Sequence, residues 1–326
     1  MRSLVKFILK TFLVIAILLG LLFFLGPYED SDLRADFDPS VLDKGVAAYF
    51  AERESMIEGI TPGVEKRVIW AGAAEAETGW SVLYLHGFSA TSEEIRPVAD
   101  RVAEGLGANL VYTRLQGHGL GGPAMAEATV QGWMTDVAEG MAAARKVGER
   151  VLILSTSTGG TLAAAAAVDE NLSEDLAGIV FISPNFGINN PLAPLLTLPA
   201  ARYWLPQVAG AERSFEPRNE GQGKYWTTSY PSVATLPMAA LVKEVAALDL
   251  SDAEVPALFW FSTEDQVVRP DITAEVAARW GGPVTVVNPE LGPEDDPSAH
   301  VIAGDIMSPG QTEATVQGIL DWAQGL

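Results

Sequence analysis

The chain has 326 residues, enough for one large α/β domain or two small ones with a sizeable core. It contains no cysteine, which excludes disulfides, thiolate metal sites and cysteine nucleophiles. With 42 acidic against 21 basic residues and a formal net charge of −21, the surface suits solubility or salt tolerance, and no nucleic-acid partner is expected.

The segment from Thr11 to Tyr28 carries no charged side chain, and Phe7-Ile8-Leu9 extends it if Lys10 snorkels. About 20 apolar residues cross a bilayer, so a transmembrane helix is expected here. A cleavable signal peptide shares the basic start and apolar centre, but Phe23-Phe24-Leu25-Gly26-Pro27 offers no A-x-A-like site. The missing cysteine excludes a lipoprotein signal. An uncleaved membrane anchor over residues 1–27 is therefore expected. Arg2, Lys6 and Lys10 precede the segment and Glu29, Asp30 and Asp32 follow it. That asymmetry predicts a cytoplasmic N-terminus and a main domain outside, periplasmic in a Gram-negative bacterium. Cleavage would instead give a secreted domain.

Residues 28–65 read as a linker with an amphipathic helix at Val41–Glu54, and the main domain as residues 66–326. Strands are predicted at Lys66–Ala71, Trp80–Leu85, Asn109–Leu115, Val151–Leu154, Leu176–Ile182, Ala257–Phe261 and Val284–Val287. Helical spacing covers Glu93–Gly105, Val130–Val147, Leu162–Val168, Asp271–Trp280 and Thr312–Ala323. Strands alternating with helices imply an α/β fold, a mostly parallel sheet with helices on both faces. The alternation lapses at about residues 185–250, a stretch rich in proline and aromatics that closes with a helix-like run, Pro237–Leu248. An insertion at the C-terminal edge of a parallel sheet sits where ligands bind, so a cap is expected; a second packing layer without ligand contacts is the alternative.

The densest signal is Arg150–Gly160, RVLILSTSTGG. A buried parallel strand ends abruptly in a tight Ser/Thr/Gly turn and a small-residue helix follows. This is the setting of a nucleophile elbow, with Ser157 at its centre and the next N–H at a helix N-terminus. The plainer reading is a polar loop capping a buried helix. A serine nucleophile needs a base, usually histidine, held by a carboxylate. The three histidines are His86, after a strand; His118, in Gly-His-Gly; and His300, between the last strand and the last helix. Adjacent carboxylates Glu264 and Asp265 follow the Ala257–Phe261 strand, and Asp305 lies just beyond His300.

HGFSAT (86–91), QGHG (116–119), STSTGG (155–160), STEDQVV (262–268) and SAHVI (298–302), in this order, resemble the serine hydrolases of the α/β-hydrolase superfamily. The likeness is to its monoacylglycerol lipase and bacterial carboxylesterase group, and it covers about residues 66–324. It implies an α/β-hydrolase fold with a cap insertion. The family's chain order of Ser, acid, His then makes Ser157 the nucleophile, Asp265 the orienting acid and His300 the general base. It also implies an oxyanion hole from the backbone N–H groups of Phe88, in the loop after the third strand, and Thr158. His86 and His118 match turn positions and are expected to be structural, as is Asp305; Glu264 is expected to be a solvated neighbour. One departure is Ser155, which replaces the first glycine of G-x-S-x-G.

The resemblance implies cleavage of a small acyl ester without a metal or organic cofactor, and a membrane tether beside an aromatic, proline-rich cap suits a lipid-derived one. The same triad would serve an acyltransferase, thioesterase or aminopeptidase, and a fold of this kind can also serve a non-catalytic binding protein.

Overall fold

The computed structural model describes residues 2–326. Helix α1 (Arg2–Leu25) is followed by a 3-10 helix (Pro39–Lys44) and α2 (Val46–Ser55). The next elements are β1 (Arg67–Ile69), β2 (Ser81–Leu85), α3 (Val98–Leu106), β3 (Asn109–Tyr112), α4 (Gly122–Met125) and α5 (Val130–Val147). Then come β4 (Val151–Thr156), α6 (Thr158–Val168) and β5 (Leu176–Ile182). The insertion holds a 3-10 helix (Ala193–Thr197), α7 (Ala201–Ala209), β6 (Glu212–Ser214), α8 (Glu220–Tyr225) and β7 (Ser229–Pro231), and ends in α9 (Thr235–Ala247). The chain closes with β8 (Ala257–Trp260), α10 (Pro270–Arg279), β9 (Val284–Val287) and α11 (Thr312–Ala323).

Seven strands form one sheet in the order β1-β3-β2-β4-β5-β8-β9. Only β1 runs antiparallel, against β3; all other neighbours are parallel. β4 lies at the centre, with Ile153 opposite Leu83 of β2 and Ile179 of β5. Side chains alternate across the sheet. Leu83, Ile153, Ile179 and Phe259 pack under α2, α5, α6, α9 and α10, while Tyr84, Leu154, Val180 and Leu258 pack under α3 and α11. Because β4 is covered on both faces, its run of apolar residues is uninterrupted. The alanines of α6 let that helix lie close to the sheet.

Several elements differ from the sequence reading, each for a local reason. The helix expected from Glu93 begins only at Val98, because Pro97 disfavours helical backbone at Arg96. The Val41–Glu54 helix is split by Gly45, which sits at φ 106°, outside the helical region. β3 stops at Tyr112, where the chain leaves the sheet and Leu115 N–H turns to His86 Nε2. The loop carrying Phe88 follows the second strand of this chain, since only β1 precedes β2.

α2 is anchored on the core. Leu42, Val46 and Phe50 are buried there, and Glu54 pairs with Arg114, Nε to Oε2 at 2.8 Å, both side chains buried. Helix α1 stands apart, with no residue buried. Its 24 residues span about 36 Å at 1.5 Å per residue, and an 18-residue stretch of it has a mean hydropathy of 2.8, so it is long and apolar enough to cross a membrane.

Candidate active site

The turn after β4 places Ser157 at φ 50°, ψ −116°, a conformation L-residues seldom adopt. The surrounding residues make that turn possible by being small. A Cβ on Gly159 would lie 2.1 Å from Leu85 O, and one on Gly160 would lie 2.7 Å from Pro184 Cβ. Ser155, in place of a glycine, is accommodated because its hydroxyl donates to Val180 O at 2.8 Å within the sheet. Ser157 N–H donates to Ile182 O at 3.1 Å, which holds the elbow to the end of β5.

Two further loops converge on this serine. His300 Nε2 lies 3.0 Å from Ser157 Oγ, and His300 Nδ1 lies 2.8 Å from Asp265 Oδ2. The two bonds are consistent when the imidazole carries its proton on Nδ1 and accepts the serine hydroxyl on Nε2. Asp265 is fixed in turn, its Oδ1 accepting the N–H groups of Val267 at 2.8 Å and Val268 at 2.9 Å. Glu264 is exposed. Burial disfavours the charged imidazolium of His300, but the Asp265 carboxylate outweighs it and holds the pKa above the ordinary 6.5.

The Gly87-Phe88-Ser89 loop faces the serine from β2. A Cβ on Gly87 would meet Glu94 Oε1 at 2.7 Å and Ser157 Cβ at 3.2 Å, so this position tolerates no side chain. Among the described residues, no acceptor engages the N–H groups of Phe88 or Thr158. Ser89, at φ 64°, accepts Thr227 N–H from the insertion at 2.8 Å, and the rings of Phe88 and Tyr230 meet edge to face at 5.4 Å. The loop is thereby tied to the insertion.

His86 and His118 are fully buried and bond to backbone. His86 Nδ1 donates to Gly87 O at 2.9 Å and its Nε2 accepts Leu115 N–H at 3.1 Å. His118 Nδ1 donates to Gln116 O at 3.1 Å, and burial pushes its pKa down to about 4. Asp305 accepts the Thr312 hydroxyl at 2.7 Å.

Two carboxylates escaped the sequence reading. Glu94, fully buried, accepts Gly87 N–H at 2.7 Å and Tyr84 O–H at 3.0 Å. Desolvation pushes its pKa up to about 7, against the opposing effect of those two hydrogen bonds. Asp296 Oδ2 accepts the N–H groups of His300 at 3.2 Å and Val301 at 2.9 Å, and the Ser298 hydroxyl at 2.7 Å. It thus sets the loop that presents the imidazole. Neither carries a motif of its own; only the excess of acids in each loop hinted at them.

The insertion roofs the site. Between it and the sheet lies a cavity of about 820 Å³ reaching Ser157 and His300, with Leu192, Leu196, Trp204, Leu205, Tyr230 and Met238 among its apolar walls. Thr158 Oγ1 and Asn185 Oδ1 are buried in residues that line it and have no hydrogen-bond partner. Such polar atoms are costly unless something bonds to them. Among the described residues, no cluster of three or more His, Asp or Glu side chains is arranged to hold a metal ion.

A parallel sheet with one antiparallel edge strand, a strained serine after its central strand and a roofed cavity above define the α/β-hydrolase class. A profile of the alpha/beta hydrolase family matches residues 82–303, and the chain belongs to that family. A thermostable monoacylglycerol lipase of Bacillus sp. (strain H-257) is 28% identical over 189 residues, 58% of this chain and 72% of that protein. Among solved structures, one from a study of the metagenome-derived lipolytic enzymes LipS and LipT is similar with a TM-score of 0.67 at 22% identity, covering 82% of this chain and all of that one. A soluble variant of the Saccharomyces cerevisiae monoglyceride lipase, in complex with a substrate analogue, has a TM-score of 0.59 at 10% identity, covering 80% and 90%.

Proposed function

We propose that the chain is a serine carboxylic-ester hydrolase of the carboxylesterase or lipase type. The observation that carries this reading is the position of His300, within hydrogen-bond distance of Ser157 Oγ on one side and Asp265 on the other. Ser157 attacks the ester carbonyl as His300 takes its proton. The oxyanion is met by the N–H groups of Phe88 and Thr158, which have no acceptor among the described residues. His300 then protonates the departing alcohol, and water, deprotonated by His300, hydrolyses the acyl-enzyme. These steps need no metal or organic cofactor. The apolar cavity walls favour an acyl chain, in keeping with the lipase activity for which the Bacillus and yeast relatives are named.

We further propose that α1 is an uncleaved single-pass anchor. Arg2, Lys6 and Lys10 lie at its cytoplasmic end, and the catalytic domain is on the opposite side. The ester reading is tested with p-nitrophenyl esters of increasing chain length: the wild type is expected to turn them over, and Ser157→Ala is expected to lose about three orders of magnitude or more. Equal rates for the two would exclude the mechanism.

A further inference from the structure

The residues that leave α1 are bonded to the insertion rather than hanging free. Gly26 packs against Pro199, where an added Cβ would lie 2.8 Å from the proline Cβ. Pro27 C=O accepts Ala200 N–H at 2.6 Å. Glu29 pairs with Arg202 through both carboxylate oxygens, one at 2.7 Å from Nε, and its side chain is only 9% exposed. Two residues on, the Ser31 hydroxyl donates to Glu244 of α9 at 3.0 Å. Helix α1 ends at Leu25, so the clamp on Pro27 leaves at most about 7 Å of chain between helix end and insertion.

That absence of slack places the insertion at the membrane surface whenever α1 spans. The insertion is dressed for the position. Among the described residues outside α1, the three most exposed large apolar side chains are Tyr203 (73%), Val208 (73%) and Leu192 (65%), all in the insertion. Val208 and Leu192 also line the cavity, so this apolar surface is continuous with its rim. Tyr28 follows α1 in sequence, Trp204 Nε1 donates to O of Pro199, the residue packed on Gly26, at 3.1 Å, and Tyr203 adjoins Trp204; aromatics of this kind are enriched at a bilayer interface.

We propose that the cap rests on the lipid bilayer, held there by the Pro27–Ala200 and Glu29–Arg202 contacts, and that the substrate is a membrane-resident acyl ester entering the cavity from the lipid. The inference rests on the ester-hydrolase and anchor readings above. An amphiphile leaving the bilayer would pass from hydrocarbon to the Leu192 and Val208 rim without exposing its chain to water.

The cysteine-free chain makes the test direct. The full-length protein in phosphatidylcholine vesicles, with Tyr203→Cys as its sole thiol carrying an environment-sensitive fluorophore, is expected to show blue-shifted emission quenched by nitroxide-labelled lipid. The same probe at Glu149→Cys, beside the opposite edge of the sheet, is expected to show neither effect. Arg202→Glu is expected to cut hydrolysis of a long-chain ester dissolved in the vesicles severalfold while leaving soluble p-nitrophenyl butyrate unchanged, and Glu29→Arg added to it is expected to restore the rate. An unquenched probe at position 203 overturns the proposal. So does a blue shift that follows protein density rather than quencher, which would mark a second copy of the chain on this face. A vesicle-to-soluble rate ratio indifferent to Arg202→Glu overturns it while leaving the ester reading intact; a wild type inactive on both esters removes the ester reading itself.

Discussion

Glu94 Oε2 accepts the Gly87 N–H at 2.7 Å, so a buried carboxyl holds the residue next to Phe88. Among the described residues no other charged side chain bonds to that loop segment; Tyr84 O–H is the second donor to the same oxygen.

The raised pKa of Glu94 has a consequence for stability. Its folded value of about 7 exceeds the ordinary 4.5, so the folded protein holds a proton that the unfolded chain releases between those values. The stability this confers is fully present below pH 4.5 and is lost as pH rises through 7. Glu94→Gln, which cannot titrate, is expected to gain on the wild type by roughly 3 kcal/mol between pH 4.5 and 8. Urea denaturation at several pH values checks this; parallel wild-type and variant curves would count against it.

His300 must be neutral to accept the serine proton. With its pKa held above 6.5 by Asp265, kcat/KM is expected to rise with pH along a limb centred above that value. Asp265→Asn removes the partner of Nδ1–H and is expected to lower kcat by about 10³–10⁴-fold. A pH–rate profile flat between 6 and 8 would contradict the assignment of His300 as base.

Ser155 and Gly159 separate chemistry from turn sterics. Ser155→Gly removes only the bond to Val180 O, with an expected loss of about 1 kcal/mol in stability and little change in kcat. Gly159→Ala drives a methyl into Leu85 O, so the elbow must shift, with an expected cost of about 1–3 kcal/mol and a large fall in kcat. Thermal melts and single-turnover rates on both variants distinguish the two effects.

Long regular elements were legible from residue pattern alone. The bounds of α5, β5 and α11 coincide with their apolar runs, because strand and helix periods persist there for several repeats. The insertion was legible only as a break in alternation. Its strands β6 and β7 have three residues each and α8 has six, too few for a period to emerge. Ser157 was visible because an elbow needs small residues in a row, whereas Glu94 and Asp296 bond to neighbours no more than ten residues away, through turns that carry no residue signature. The Tyr84–Glu94–Gly87 and Asp296–His300 contacts depend on backbone geometry that no spacing in the sequence encodes.

The most direct measurement is to treat the folded wild-type protein and Ser157→Ala with a fluorophosphonate and locate the adduct by peptide mass spectrometry. One phosphonyl group on Ser157, absent from the variant and suppressed at low pH as His300 becomes protonated, is the expected result. A folded wild type that stays unlabelled, or carries the label on another serine, would contradict Ser157 as the nucleophile.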